Sequence, residues 1–76
     1  MARLPVTTGT RMVRFLERQG FHVVRAKGSH VRMAHADGRV TTVPVHARKE
    51  LPVGTVLAIL RDIDVDRADF ERQWQA

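Results

Sequence analysis

The chain has no cysteine, which excludes a disulfide frame and a thiolate metal site. At 76 residues a chain buries only about 60% of its unfolded surface, so stability must come from one hydrophobic core without staples. No apolar run approaches the ~18 residues of a membrane span, and none follows Arg3 as a signal peptide requires. We therefore expect a soluble, cytoplasmic protein with one domain over residues 1–76. Repeats, linkers and low-complexity segments are missing too. The four histidines match no helical metal-ligand pair and have no neighbouring carboxylate as support, so neither a metal nor a cofactor is expected.

Acid is scarce in the first part of the chain. Residues 1–49 carry ten lysines and arginines against Glu17 and Asp37, a net +8. Residues 50–76 carry three arginines against six acids, a net −3. A basic half beside an acidic half implies one surface that faces a polyanion. Eleven of the thirteen cations are arginine, whose planar fork suits bidentate phosphate contacts. Nucleic acid is the partner this composition favours.

Apolar periodicity changes cleanly along the chain. Thr8 can cap a helix over 8–19 whose Met12, Phe15 and Leu16 share a face, and Gly20 follows where a helix ends. Arg11, Arg14 and Arg18 share another face, either a solvated one or one that meets nucleic acid. Strands are expected over 21–26, 30–35 and 39–43. Lys27-Gly28-Ser29 makes the first turn. Asp37-Gly38 makes the second, read as type I′ with φ > 0 at both residues. Pro52 opens a second helix with Val53, Val56, Leu57 and Leu60 as its buried stripe. A short third helix follows Asp66, with Val65 and Phe70 as a staple and Trp74 packed beside Phe70. The acids from Asp62 to Glu71 read mainly as helix caps.

This order is α+β: α-β-β-β-α with a short extra C-terminal helix, and an antiparallel sheet covered on one face. In the second strand Val31 and Met33 point to the helices, so His30 and Arg32 point to the open side. Histidine both takes and gives a proton near neutral pH. Lys27 and a glycine that permits close backbone approach are what a phosphate-bearing substrate needs beside it. His30 is the candidate catalytic residue. We expect Arg25, Lys27, Gly28, Ser29, Arg32 and Lys49 to contact the nucleic acid. His46, in the loop after the third strand, is either a second acid–base group or a loop-fixing hydrogen bonder. His22 and His35 read as ordinary strand and hairpin positions.

Several segments together resemble the HicA-like family of small bacterial toxins. They are Gln19-Gly20-Phe21, Lys27-Gly28-Ser29-His30, His35-Ala36-Asp37-Gly38, Val43-Pro44-Val45-His46, Lys49-Glu50-Leu51, Gly54-Thr55 and Ile59-Leu60-Arg61. The resemblance runs from Leu4-Pro5 nearly to the C-terminus. It implies a double-stranded-RNA-binding-domain-like fold and cleavage of mRNA by an mRNA interferase, with the family's catalytic histidine at His30. It also implies silencing by a HicB-type antitoxin that covers the site. Three positions depart from the family pattern: Val31 after Gly-Ser-His, Ala47 after the second histidine, and Ile63-Asp64 at a helix end. The last two bear on loop geometry and helix termination. Two other classes remain open, an RNA-binding module that cuts nothing and a protein-interaction subunit of the same fold.

Overall fold

Capping chemistry sets the first element. The computed structural model describes residues 4–74; Arg3, and with it the reading of the N-terminus, lies outside them. Helix α1 spans Gly9–Arg18, and the Thr8 hydroxyl accepts the Arg11 N–H at 3.3 Å. At its end Gly20 takes φ +97°. The Gly20 N–H donates to Glu17 C=O at 3.1 Å and the Phe21 N–H to Leu16 C=O at 3.0 Å. This paired closure is what a C-terminal glycine permits. Met12, Phe15 and Leu16 are fully buried.

The sheet is antiparallel in the order β1-β2-β3, with β1 at His22–Lys27, β2 at His30–Ala34 and β3 at Val40–Pro44. Gly28-Ser29 joins the first two strands with φ +58° at Gly28 alone, the sign pattern of a type II′ hairpin. The second hairpin departs from expectation. Of its residues only Gly38 has positive φ, at +100°. Gly38 N–H bonds to His35 C=O at 3.0 Å, and His35 N–H to Arg39 C=O at 2.9 Å. The loop is therefore three residues, Ala36-Asp37-Gly38, with glycine in the left-handed position, not a two-residue type I′ turn. Asp37 is held out of the left-handed region because its carboxylate accepts the Arg39 backbone N–H (3.1 Å) and Nε (2.8 Å). The backbone N–H foremost, and then the guanidinium, lower the Asp37 pKa below its ordinary 3.8.

Helix α2 spans Val53–Ile63, with Pro52 at the cap position, one residue earlier than a first-turn proline. Its buried stripe is Val56, Ile59, Leu60 and Ile63. Val53 is 63% exposed, which corrects the expected stripe. The helix is rotated so that Ile59 and Ile63 enter the core, and its first residue is left in solvent. Asp64 ends it with φ +58°, doing in a left-handed conformation what glycine does at α1. Helix α3 spans Arg67–Trp74, and Asp66 caps it by accepting the Asp69 N–H at 2.8 Å. Phe70 is fully buried, edge-to-face with Phe15 at 5.1 Å, and the Trp74 ring lies 5.3 Å from both.

Two polar links tie the end of α2 to β3. Arg39 donates to Ile63 C=O at 2.6 Å, and buried Thr41 donates to Asp62 at 2.9 Å. At the other end of β3 the backbones approach closely. A Cβ on Gly9 would run into the Pro44 carbonyl oxygen and lie 2.9 Å from Val45 Cα. Glycine is required there by space, not by φ.

Two outcomes follow for thermal melts followed by circular dichroism. Gly9→Ala forces α1 off β3, an overpacking change worth roughly 1–3 kcal/mol, and lowers Tm by about 4–8 °C per kcal/mol. Asp64→Gly relieves a left-handed side chain, stabilises by about 1 kcal/mol, and raises Tm.

Candidate nucleic-acid interface

Strand register decides which side chains meet on the uncovered face. His30 lies opposite Lys27 on β1 and Pro44 on β3, while Arg32 lies opposite Arg25 and Thr42. These two adjacent rows point away from the helices, because Val31 and Met33 alternate with them and Met33 is fully buried. Arg25, Lys27, His30 and Arg32 are all exposed.

Two of these residues owe their place to a bulge. Val23 pairs with Met33 and Arg25 with Arg32, so Val24 is an extra residue in β1. Side chains alternate with a period of two. Without Val24 as the extra residue, Arg25 would oppose Val31 and turn to the helix side, and Lys27 would follow it. The bulge puts both cations on the face that carries His30.

The face is electrostatically one-sided. Arg25 stands directly across from Arg32 and Lys27 from His30; a like-charged pair such as Arg25–Arg32 destabilises a sheet. No carboxylate shares the two rows. The ion pairs among the described residues lie elsewhere, at Arg39–Asp37 and Arg72–Asp69. Arg32 is steadied by donating to the Thr42 hydroxyl at 3.1 Å, a contact that periodicity alone does not reveal because it depends on β2–β3 register. Neither ring nitrogen of His30 has a hydrogen-bond partner among the described residues. Its approach is open: Gly28 has nothing within 4 Å of where a Cβ would stand. The Ser29 carbonyl accepts the Val45 N–H, anchoring the turn to the segment after β3.

His46 and Lys49 lie in the loop between β3 and α2. With Pro44, Glu50, Leu51, Pro52 and Thr55 they line a cavity of about 250 Å³. The loop is closed by Lys49 N–H on His46 C=O at 3.0 Å, with Arg48 at φ +58°. Pro44, which pairs with His30, also borders this cavity, so the two groups adjoin without merging. His35 has a packing place. Its ring lies edge-on to Phe21 at 5.1 Å, and a Cβ on Gly20 would strike it. Its Nδ1 accepts the Asp37 N–H at 3.1 Å, so in that state the 3.2 Å approach to the Asp37 carboxylate is not an ion pair. His22 is exposed on β1.

Among the described residues no three His, Asp or Glu side chains converge to hold a metal, and no helix is long and apolar enough to cross a membrane. No curated protein matches the chain. A family-level comparison matches residues 9–65, from the first residue of α1 to just past α2, to the HicA toxin of bacterial toxin–antitoxin systems. That match, over a chain with the α-β-β-β-α-α order described above, shows that the protein belongs to the HicA toxin family, whose members act as toxins paired with antitoxins.

Proposed function

We propose that this toxin is a cytoplasmic endoribonuclease, an mRNA interferase that cleaves mRNA with His30 as its acid–base group. The observation that carries this reading is the exposed His30 among Arg25, Lys27 and Arg32 on a face without acid. RNA supplies its own nucleophile. His30 takes the proton of a 2′-hydroxyl as its oxygen attacks the adjacent phosphorus in line. The P–O5′ bond breaks, the 5′ oxygen takes a proton from water, His30 returns its own to solvent, and a 2′,3′-cyclic phosphate remains. Lys27 and the Gly28 and Ser29 amides stabilise charge on the phosphate oxygens. Arg25 and Arg32 hold flanking phosphates, with Lys49 reaching the RNA from the neighbouring loop and His46 as a possible secondary group. The scheme uses no metal or cofactor.

A single acid–base group with no orienting partner makes a slow enzyme. That same absence is what favours the second reading, an RNA-binding module that cuts nothing. Under either reading the basic face is where a HicB-type antitoxin would silence the toxin, by covering it with acidic side chains.

The readings separate on cleavage. With purified protein in chelator, wild type is expected to convert RNA to fragments ending in 2′,3′-cyclic phosphate. His30→Ala is expected to lose about 10²–10⁴-fold in rate while its RNA affinity stays within a few-fold. Equal rates for the two proteins would remove His30 from the chemistry. RNA binding without cleavage by wild type would leave the binding module. Neutralising Arg25 and Arg32 together should weaken binding and flatten its dependence on salt by roughly 0.7 per lost phosphate contact.

A further inference from the structure

A second basic surface lies on the helix side of the molecule. Arg11, Arg14 and Arg18 of α1, with Trp74 of α3, line a cleft of about 190 Å³. The sheet and its core separate this cleft from His30, which faces away on the uncovered side. Residues 9–65 carry the family match, so the tryptophan wall of the cleft comes from a helix outside it.

Helix electrostatics do not account for the three arginines. Arg11 and Arg14 are three apart, and Arg14 and Arg18 are four apart, which are repulsive spacings for like charges. Arg11 stands in the first turn of α1, where the helix dipole favours acid and where the sequence has none. Only Arg18, in the last turn, gains from the dipole. No carboxylate pairs with any of them among the described residues; two of the three, Arg11 and Arg18, rest instead on aromatic rings. The Arg11 guanidinium lies 5.7 Å from the Trp74 ring centre and that of Arg18 lies 5.9 Å from Phe15. Ring contact holds the forks in place and leaves their N–H donors unspent.

We infer that this cleft is a second RNA-backbone site, in which the Arg14 and Arg18 forks take successive phosphates against the Trp74 wall. The inference rests on the RNA reading above and extends it to a surface that performs no chemistry. Arg11 to Arg18 spans roughly 10 Å along the helix axis, so the row follows a strand over more than one phosphate. Guanidinium forks match phosphate bidentately. The cleft adds affinity for RNA and leaves bond cleavage to the far face.

Trp74 is the only tryptophan, and there is no tyrosine, so intrinsic emission reports on this cleft alone. The experiment titrates an oligoribonucleotide into full-length His30→Ala protein and follows that emission, with fluorescence anisotropy of labelled RNA in parallel. A saturable emission change is expected. In Arg14→Gln/Arg18→Gln it should need about tenfold more RNA, and the salt slope should fall by about 1.4, or 0.7 for each of two phosphates. Arg14→Lys/Arg18→Lys, which keeps the charge and loses the forks, guards against misfolding of the first variant. It should weaken the response while keeping the slope.

RNA binding by anisotropy with unchanged emission would overturn the site. So would an equal response to poly-glutamate at matched charge, which would mark a surface for acidic protein instead. Cleavage by the wild type with silent emission sinks this inference alone. An emission response without cleavage sinks the catalytic reading alone.

Discussion

A chain of this length closes one core, and here that core lies entirely on one side of a three-stranded sheet. Met12, Phe15 and Leu16 from α1, Met33 and Val43 from the sheet, four α2 residues and Phe70 of α3 are the bulk of it. Removing apolar surface from water stabilises at roughly 25 cal/mol per Å², and the described residues form no second apolar cluster to cover the other face. The uncovered face is therefore free for charged side chains, and its arginines and lysine are tolerated because packing there is not required for folding. The placement of His30 is a by-product of how the core closes.

Polar residues from the acidic half serve that closure. Asp66 caps α3, Asp62 satisfies buried Thr41, and Asp64 turns the chain at the end of α2. Arg39 links the second hairpin to the Ile63 carbonyl while its guanidinium lies 5.1 Å from the Phe21 ring centre. One cation is thus spent inside the fold together with most of the nearby acid. The cations of β1 and β2 stay unneutralised as a result.

What was legible in the sequence was local. Thr8 and Gly20 mark both ends of α1, Gly28 marks the first turn, and alternation from His30 to Ala34 places His30 and Arg32 on the open side. Each signal acts within a few residues. The misread features depend on contacts far along the chain. Val53 looked like part of the α2 stripe by spacing, yet the rotation of α2 is set by where Ile59 and Ile63 meet the core. Asp37-Gly38 has the composition of a type I′ turn, but the Arg39 side chain and the β2–β3 register extend it to three residues. Gly9 carried no signal, because its requirement comes from the Pro44 backbone 35 positions later. In the candidate site, Arg25 and Lys27 read as nucleic-acid contacts, but the face they share with His30 does not show in the sequence. Its structural cause, the extra residue Val24, shows only in strand pairing.

That extra residue gives β1 the character of a parity device. All six β1 residues are exposed, so little core energy opposes a change in the strand's length. Loss of Val24 would close the bulge and leave Arg25 opposite Arg32, whereas loss of Ala26 would set Arg25 opposite Val31 and turn it toward α1. Substitutions in β1 change the display by one side chain at a time, whereas the effect of a single codon deletion depends on which side of the bulge it falls. The strand that contributes least to stability is therefore free in length at one position and fixed at the next.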